Sequence, residues 1–474
     1  MNLPTDFVTY THGLFGDEEY NKLAEALQED SPISIRLNAS KGAFPVSLTD
    51  SVSVPWCSDG YYLPERLTFT FDPLFHAGCY YVQEASSMFL ERVIKQYVQT
   101  SVVMLDLCAA PGGKSTHAIS LLPAGSLLVA NEVIRSRSSI LGGNLTKWGK
   151  PNVIVTNNDP ADFTKVNSFF DVILADVPCS GEGMFRKDAG AIAEWNLNNV
   201  EICWQRQRRI IADVWPCLKP GGIFIYSTCT YNTKEDEENI AWMQHEFEAE
   251  VLSIDVPESW GICGNMAGYD FPVYRFLPHN VRGEGFFLTV LRKSASEELA
   301  SRSTFRSVSL NAADKRNKDS RKKLPDKEVT HAVKDWVIDY ESYQFTVNGT
   351  LISAFPKAYF NELNSLQQLH IAQSGIAIGE VKGKDIIPNH ALAMSQMLNP
   401  DAFPSIELSY EQAIAYLRKE AISLGETAPR GYLLVTYNNV FLGFVKNIGN
   451  RANNLYPQEW RIRSGYLPLE IKLL

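Results

Sequence analysis

The pattern of hydrophobic and polar positions divides the chain into regions of different character. The first 95 residues mix short helical and strand patterns and include an acidic amphipathic stretch, Asp17–Asp30. From Ser101 to Lys293, apolar runs of strand length alternate with helical stretches, which predicts a parallel α/β sheet. The predicted strands of this sheet are Val102–Leu107, Leu127–Asn131, Val153–Thr156, Phe170–Ala175, Gly222–Ser227, Val251–Ile254 and Phe286–Leu291.

Composition places further boundaries. Residues 294–328 are poor in apolar side chains, and Arg302 to Lys327 holds nine basic and three acidic residues, which predicts a basic linker. Beyond it, strand patterns return with helices between them, at Tyr343–Val347, Leu351–Phe355, Gly431–Thr436 and Val440–Val445. We therefore expect an N-terminal α+β extension at 1–95, an α/β domain at 96–293, the linker, a middle α+β region at 329–390 and a C-terminal region at 391–474.

Charge and cysteine usage exclude several classes of protein. The 474 residues are 45% hydrophobic and 21% charged, which is typical of globular chains, and the net charge of −10 argues against a uniformly basic nucleic-acid coat. Eight cysteines lie far apart with no C-x-x-C pair, so neither a disulfide scaffold nor a structural metal site is expected. Without a signal peptide or an apolar run of about 18–20 residues, we expect a soluble cytoplasmic protein with no membrane partner.

The strongest local signal is the segment Asp106–Ser115, directly after the first predicted strand. Its paired glycines, Gly112 and Gly113, allow the backbone to approach a ligand closely, and a helix is expected from about Ser115. A phosphate-binding P-loop would need glycine where Cys108 stands, and Pro111 removes an amide from such a cradle. The dinucleotide motif G-x-G-x-x-G is also absent, so we expect another kind of ligand at the carboxyl ends of the strands.

Acidic residues follow four successive strands of the predicted sheet: Asp106, Glu132, Asp159 and Asp176. Glu132 lies 20 residues beyond Gly112, where a carboxylate can accept hydrogen bonds from both hydroxyls of a ribose. Asp159 is expected at an adenine edge. Acidic residues without a phosphate cradle favour a nucleoside that carries a cationic tail, and S-adenosylmethionine is such a ligand.

Two cysteines follow the fourth and fifth strands, in the polar turns Asp176–Gly183 and Tyr226–Thr230. Because adjacent strand ends meet at one edge of a sheet, Cys179 and Cys229 are expected at the same pocket rim, beside the cofactor. An isolated cysteine is usually a small core residue. Two cysteines at successive strand ends favour a reactive role over a structural one.

Asp106–Ser115, Asp176–Gly183 and Ser227–Thr230 resemble the signature motifs of the RNA 5-methylcytosine methyltransferases, the NOL/NOP2/Sun family. The resemblance covers about Ser34 to Lys293. Its further segments are Ser34–Asn38, Tyr81–Met88 and Gly283–Phe287. The C-terminal segments Gly443–Lys446 and Asn454–Pro457 are similar to the PUA-like end of the branch that modifies small-subunit ribosomal RNA.

The resemblance implies a Rossmann-like S-adenosylmethionine-dependent methyltransferase sheet of seven strands, with an N-terminal α+β extension and a C-terminal PUA-like RNA-binding region. It implies that Cys229 is the nucleophile and that Cys179 serves as the acid/base group of the release step. Ser115 stands where many relatives have threonine. The implied cofactor site comprises Cys108, Ala109, Ala110, Pro111, Gly112, Gly113, Lys114, Glu132, Asp159 and Asp176.

The chemistry explains the use of two cysteines. Since C5 of cytosine is a poor nucleophile, a thiolate that adds to C6 creates an enamine whose C5 can attack a methyl group, and the thiolate is expelled afterwards. Asp176 is expected at the N3/N4 edge of the base. Lys114 is expected to orient Asp176 and to favour a thiolate, because a nearby cation lowers the pKa of a thiol.

The substrate follows from the same chemistry. A base inside a duplex is out of reach, so we expect an unpaired or flipped cytosine in small-subunit ribosomal RNA, with Phe185, Arg186 and Lys187 as candidate contacts. The tail from Arg430 adds six basic residues against two acidic ones. Three alternatives stay open: a transfer-RNA methyltransferase of the same family, a DNA cytosine methyltransferase that uses Cys179 as its nucleophile, and a non-catalytic ribosome-assembly factor.

Overall fold

The structure is a computed structural model that describes residues 2–42, 46, 48–295, 331–466, 468 and 470–474. The predicted basic linker therefore lies outside the described residues from 296 onward. The helices of the chain, numbered in order, are α1 (Thr5–Ala26), α2 (Pro73–His76), α3 (Leu90–Tyr97), α4 (Gly113–Leu121), α5 (Arg135–Trp148), α6 (Ala189–Glu194), α7 (Leu197–Val214), α8 (Glu237–Phe247), α9 (Phe360–Ser365), α10 (His390–Met394) and α11 (Tyr410–Leu417). Helix α1 is kinked at Gly16, where φ is 75°.

The strands of the described residues fall into four sheets. A small N-terminal sheet holds β1 (Ser34–Leu37), β2 (Val52–Ser53), β3 (Gly60–Tyr62) and β4 (Tyr80–Val82). The strands that follow along the chain are β5 (Val103–Asp106), β6 (Leu127–Asn131), β7 (Val153–Thr156), β8 (Phe170–Asp176), β9 (Leu218–Thr228), β10 (Glu250–Leu252), β11 (Tyr274–Phe276) and β12 (Phe286–Arg292).

Two further sheets belong to the C-terminal half. The first holds β13 (Tyr343–Asn348), β14 (Leu351–Pro356), β16 (Ile376–Lys382) and β17 (Asp385–Pro388), while the intervening β15 (Ile371–Ser374) leaves this sheet. The second holds β18 (Ser405–Glu407), β19 (Gly431–Tyr437), β20 (Val440–Asn447) and β21 (Ala452–Asn454).

The large central sheet has the order β10-β12-β9-β8-β5-β6-β7-β15, with β11 paired to β12. Strands β5 to β9 run parallel, and β12 is antiparallel to β9. All seven strands predicted from the sequence are present, so the predicted α/β sheet is confirmed. Strand β15 from the middle region adds itself antiparallel to β7, which the sequence did not predict.

The central sheet is buried on both faces, as expected for parallel strands, and this explains their nearly continuous apolar runs. Helices α3, α4 and α5 cover one face, with Val93, Ile119 and Leu141 in the core. Helices α7 and α8 cover the other face, where Ile211 and Ile240 are fully buried. Because helices cover both faces, a ligand can reach this sheet at the carboxyl ends of its strands.

The two ends of the chain share a hydrophobic core. Ile35 and Tyr80 of the N-terminal sheet belong to the same buried cluster as Leu433 and Leu442 of the C-terminal sheet. The C-terminal region is thus packed onto the N-terminal extension instead of extending away from it. Among the residues that the structure describes, no helix has both the length and the apolarity that crossing a bilayer requires.

Candidate active site

The loop from Asp106 to Gly112 connects β5 to α4 at the carboxyl edge of the sheet. Helix α4 begins at Gly113, two residues before the predicted start. Gly112 has φ of 113°, in the left-handed region that favours glycine, and a Cβ there would lie 3.3 Å from Leu141 Cδ1. The glycine is therefore favoured by its backbone conformation, and α5 leaves little space for a side chain behind the loop.

The N-terminal sheet supports this loop through Arg36, which is 1% exposed. Its Nη2 atom donates to the carbonyl oxygen of Gly113 at 3.3 Å and to Thr116 Oγ1 at 2.7 Å. Its guanidinium lies 4.5 Å from the centroid of the Trp148 ring. Since an arginine presents a planar set of donors, Arg36 fixes the first turn of α4 relative to the N-terminal sheet.

Three of the four predicted carboxylates lie together at the carboxyl ends of the parallel strands. Asp106 and Asp176 are the last residues of β5 and β8, and Glu132 directly follows β6. Glu132 Oε1 accepts from the backbone N–H of Ile134 at 2.9 Å, and Arg137 Nη1 lies 3.3 Å from Glu132 Oε2. Arg137 was not identified from the sequence. It also donates to the carbonyl oxygen of Ala110 at 2.9 Å and so links the acidic rim to the glycine-rich loop.

Asp106 is fully buried, and one of its carboxylate oxygens has no partner in the described structure. Oδ2 accepts from Ser115 Oγ at 2.6 Å, whereas Oδ1 is buried without a hydrogen bond. Burial raises the pKa of Asp106 to about 7, against the lowering effect of the Ser115 bond. Ser115 uses only its hydroxyl for this contact, a group that threonine also carries.

Cys179 and Cys229 are brought together, as expected from their positions after β8 and β9. Their sulfur atoms lie 3.1 Å apart, too far for a disulfide and close enough for a thiol hydrogen bond. The backbone N–H of Cys229 also donates to Cys179 Sγ at 3.3 Å. The contact with Cys229, followed by burial, raises the pKa of Cys179 well above its ordinary value. Cys179 therefore keeps its proton at neutral pH and can donate it toward Cys229.

A cation and a carboxylate lie beside the two thiols. Lys114 Nζ donates to Asp176 Oδ2 at 2.8 Å, and Ser227 Oγ donates to Asp176 Oδ1 at 2.7 Å. Burial disfavours the charge on Lys114, but the attraction of Asp176 outweighs it and raises the pKa of the lysine. The ammonium also interacts electrostatically with Cys229. The cysteine pair thus has a permanently charged lysine nearby.

Two buried carboxylates, which the sequence analysis missed, fasten the cysteine turns together. Glu235 accepts from the backbone N–H of Ser180 at 3.0 Å and from Asn232 Nδ2 at 2.9 Å. Glu182 accepts from the backbone N–H of Tyr231 at 2.5 Å. Burial raises the pKa of Glu235 to about 7. The position of Glu182 inside the Asp176–Gly183 motif was the one signal that could have identified it.

The sequence analysis was wrong about two of the residues proposed to contact RNA. Phe185 is 2% exposed and packs against Phe7, with ring centroids 5.1 Å apart, so it cannot stack on a base. The Arg186 side chain is 4% exposed and donates to Glu284 Oε2 at 2.8 Å. Lys187 remains partly exposed, with its Nζ 3.7 Å from Glu284 Oε1. Both buried residues serve packing between the N-terminal helix and the active-site turn.

Asp159 occupies a different environment from the other carboxylates. It follows β7 by three residues, and its Oδ1 accepts from the backbone N–H of Ala161 at 3.1 Å as a cap of a short 3₁₀ turn. The other carboxylate oxygen of Asp159, Oδ2, lies 3.9 Å from Arg209 Nη2. Its contact with an adenine therefore stays a prediction.

The arrangement fits a nucleoside with a positively charged tail. Asp106 Oδ1 is an orphaned buried acceptor, and Glu132 presents a second carboxylate at the neighbouring strand. The lysine of the loop, Lys114, is directed to Asp176 and not to a phosphate position. An anionic di- or triphosphate would meet carboxylates here, whereas a sulfonium or ammonium group would be attracted.

Comparison with known families and proteins gives an independent result. Residues 95–292 match the family model described as 16S rRNA methyltransferase RsmB/F. Residues 3–85 match the N-terminal domain of 16S rRNA methyltransferase RsmF, and residues 403–462 match the methyltransferase RsmF PUA domain.

Individual proteins are similar over most of the chain. Ribosomal RNA small subunit methyltransferase F of Shewanella woodyi is 30% identical, covering 86% of this chain and 84% of the relative. The protein of the same name from Pectobacterium carotovorum subsp. carotovorum is 28% identical over 97% of this chain and 96% of the relative. The crystal structure of a methyltransferase homolog from Pyrococcus horikoshii, at 28% identity and a TM-score of 0.51, covers 60% of this chain and 93% of that one.

The protonation of Asp106 has a measurable consequence for stability. The folded-state pKa of about 7 lies above the unfolded value of about 3.9, so between these values the unfolded chain releases a proton that the folded protein keeps. The contribution of Asp106 to the free energy of unfolding should therefore fall as pH rises, by up to about 1.4 kcal/mol per pH unit, and level off above about pH 8. Asp106→Asn should remove this dependence.

The measurement is urea denaturation of both proteins from pH 5 to pH 8. The stability of Asp106→Asn relative to the unsubstituted protein should increase up to about pH 7. Asp270→Asn, at an exposed carboxyl, serves as the control and should show a constant difference. A constant difference for Asp106→Asn as well would show that Asp106 is ionised in the folded protein.

Proposed function

Because the chain belongs to the 16S rRNA methyltransferase RsmB/F family, we propose that it transfers a methyl group from S-adenosylmethionine to C5 of a cytosine in 16S ribosomal RNA, through a covalent adduct on Cys229. The observation that carries this proposal is the 3.1 Å contact between Cys179 and Cys229 at the acidic edge of the sheet. A methyltransferase that acts on nitrogen or oxygen needs no such pair of thiols.

The cofactor is assigned to the edge formed by β5, β6 and β8. Glu132 would hold the ribose hydroxyls, Asp159 the adenine edge, and the backbone of Cys108–Gly113 would lie against the remainder of the nucleoside. When bound, S-adenosylmethionine supplies an electrophilic methyl group on a positively charged sulfur. The Asp106 and Asp176 carboxylates favour that positive charge.

Cys229 is assigned as the nucleophile because the family resemblance gives it that role, and Cys179 lies beside it as a hydrogen-bonding partner. The raised pKa of Cys179 keeps that thiol neutral, so its S–H can hydrogen-bond to a thiolate on Cys229. The positive charge of Lys114 would also attract a thiolate on Cys229. The Cys229 thiolate then adds to C6 of cytosine, and the electron density at C5 rises so that C5 can accept the methyl group.

Asp176 is assigned to the pyrimidine ring. Its two oxygens are fixed by Lys114 and Ser227, which leaves the carboxyl group oriented at the strand end beside both cysteines. At the N3/N4 edge it would accept from the exocyclic amine of cytosine and stabilise protonation of N3 as the adduct forms. Uracil, which has a carbonyl at that position, would be disfavoured.

Release requires removal of the C5 proton and expulsion of Cys229. Cys179 lies within hydrogen-bonding distance of Cys229, and its backbone is held by Glu235 through Ser180. We assign Cys179 as the acid/base group of this step. Cys179 first gives its thiol proton to solvent, and its thiolate then takes the C5 proton. The C5–C6 double bond re-forms, and the Cys229–C6 bond breaks to return the Cys229 thiolate.

RNA binding is assigned to the exposed basic residues of the C-terminal region. Arg451, Arg461 and Arg463 are exposed, and Tyr466 beside them is 89% exposed and available for stacking.

The predicted domain boundaries are retained as part of the proposal, with residues 391–474 as the PUA-like region. Because this region shares a core with the N-terminal sheet, substitution of single side chains tests it better than truncation after residue 293.

The cofactor assignment predicts that Glu132→Ala weakens S-adenosylmethionine binding by roughly 1.5–3 kcal/mol, because two ribose hydroxyls lose a charged acceptor. The S-adenosylmethionine affinity of Glu132→Gln should lie between those of Glu132→Ala and the unsubstituted protein, because glutamine keeps one carbonyl oxygen. Isothermal titration calorimetry measures the affinity, with Glu250→Ala at an exposed carboxyl as the control. Unchanged affinity in a folded Glu132→Ala protein would exclude Glu132 from the site.

The assignment of the cysteines predicts opposite behaviour for two variants. Cys229→Ser should lose turnover and any covalent RNA adduct, since a serine hydroxyl is far less nucleophilic at neutral pH than a thiolate. Cys179→Ala should still attack and transfer the methyl group, and then stall while linked to methylated RNA. A denaturing gel detects the linked species as a slow band, and Cys263→Ser, outside the site, should behave as the unsubstituted protein.

Ribosomal RNA that contains 5-fluorocytosine makes the test independent of slow turnover, because an adduct with fluorine at C5 cannot resolve. Trapping by Cys179→Ala but not by Cys229→Ser supports the assignment. The reverse result would make Cys179 the nucleophile, as in a DNA cytosine methyltransferase. No trapping by the unsubstituted protein would favour a non-catalytic assembly factor, and trapping on transfer RNA alone would favour the transfer-RNA enzyme.

The RNA assignment predicts a change in salt dependence. Replacing Arg451, Arg461 and Arg463 by alanine should lower the affinity for 16S ribosomal RNA roughly tenfold or more and reduce the salt slope by about 2–3, since three phosphate contacts are lost. S-adenosylmethionine affinity should stay unchanged. The control removes the same charge at Lys22, Lys165 and Arg292, each paired with a surface carboxylate. Equal losses in both triple variants would contradict the assignment.

A further inference from the structure

Three potential metal ligands from distant parts of the sequence meet behind the glycine-rich loop. Cys57 precedes β3, Glu91 lies in the first turn of α3, and His117 lies in α4. Their exposed fractions are 3%, 3% and 2%. One donor atom of each residue lies within 4.8 Å of the donor atoms of the other two. The cluster is separate from the Cys179–Cys229 pair and takes no part in the chemistry proposed above.

The distances within the cluster match those of a coordination sphere. Cys57 Sγ lies 3.7 Å from His117 Nε2, and His117 Nε2 lies 3.3 Å from Glu91 Oε2. Around a tetrahedral zinc ion, with Zn–S of about 2.3 Å and Zn–N and Zn–O of about 2.0–2.2 Å, neighbouring ligand atoms are separated by about 3.3–3.6 Å. The Cys57–His117 and His117–Glu91 distances are therefore close to two edges of a tetrahedral face, and the donor atoms of Cys57 and Glu91 lie within 4.8 Å of each other.

From this geometry we propose that Cys57, Glu91 and His117 bind a divalent transition-metal ion of the zinc type, with water at the fourth position. Thiolate, imidazole and carboxylate together suit zinc better than magnesium or calcium, which prefer oxygen ligands. Binding would release the thiol proton of Cys57 to solvent. The thiolate and the Glu91 carboxylate would then balance the two positive charges of the ion.

The surroundings of Glu91 orient it for this role. Its Oε1 atom accepts from the backbone N–H of Ser58 at 3.0 Å, from Ser58 Oγ at 2.9 Å and from Lys95 Nζ at 2.5 Å. Oε2 is left facing His117. Such outer hydrogen bonds fix the orientation of metal-ligating carboxylates. Arg36 also interacts electrostatically with Cys57 and His117, but its donors are directed to Gln83, Gly113 and Thr116.

The position of the cluster gives the ion a structural role. His117 lies on α4, whose first residue, Gly113, belongs to the glycine-rich loop. Cys57 belongs to the N-terminal sheet region and Glu91 to α3. A metal ion at this point would cross-link three elements that are otherwise joined by packing and hydrogen bonds, and it would hold α4 against the N-terminal extension. Ligands 26 and 34 residues apart have no recognisable spacing, so the sequence analysis expected no structural metal.

The test uses the full chain with Cys179→Ala and Cys229→Ala, because the close thiol pair could itself bind zinc. Protein stripped with a chelator under a phosphine reductant is titrated with Zn²⁺ and with Co²⁺. We expect one equivalent of metal, a Co²⁺ spectrum with four-coordinate d–d bands and a thiolate-to-cobalt charge-transfer band, and a higher melting temperature with Zn²⁺. Adding Cys57→Ser should remove the charge-transfer band and weaken zinc binding at least about 100-fold.

Cys203→Ser in the same background is the matched control, since Cys203 is also buried, at 4% exposure, and lies away from the cluster. It should bind metal like the parent. No metal uptake by the parent, or uptake unaffected by Cys57→Ser, would overturn the proposal and leave the cluster as a hydrogen-bonded triad. If Cys57→Ser fails to fold, anomalous diffraction at the zinc edge decides: a peak between Cys57, Glu91 and His117 supports the site, and peaks only elsewhere refute it.

Discussion

The contact between the sulfur atoms of Cys179 and Cys229 depends on parallel pairing of β8 with β9. Asp176 is in register with Ser227, so both turns leave the sheet at the same height. The buried carboxylates of Glu182 and Glu235 then join the two turns through backbone N–H groups. Burying a carboxylate costs free energy unless hydrogen bonds compensate, so these residues favour one arrangement of the turns. The proposed chemistry requires that arrangement.

Buried charged side chains that make hydrogen bonds also connect the active site to the rest of the molecule. Arg36 fixes α4 from the N-terminal sheet, and the buried ion pairs of Arg275 with Asp236 and Glu237 support the segment after Cys229. The N-terminal sheet in turn shares a core with the C-terminal sheet, and the exposed arginines lie on either side of the last strand of that sheet along the chain. An RNA bound at the proposed C-terminal surface would thereby be held at a defined position relative to the cysteines. Rigid placement of this kind favours a reaction that needs one base in one orientation.

Much of this could be predicted from the sequence, and the remainder could not for physical reasons. The five parallel strands β5 to β9 were predictable because parallel strands buried on both faces are continuously apolar. The meeting of Cys179 and Cys229 followed from the topology of such a sheet. Glu235 could not be identified, since it lies in an acidic run that resembles a solvated surface. Phe185 was misassigned because burial by α1 is a tertiary effect. Strand β15 joins the sheet across more than 200 residues, a pairing that local patterns do not encode.

Bisulfite sequencing of ribosomal RNA from cells with and without the gene measures the proposed methylation of C5 directly, because 5-methylcytosine resists the deamination that converts cytosine. At least one 16S cytosine should be protected in the parent cells and converted in the deletion strain. Protection should return with the unsubstituted gene and not with Cys229→Ser. Identical conversion patterns with and without the gene would show that this chain does not methylate C5 of a cytosine in 16S ribosomal RNA.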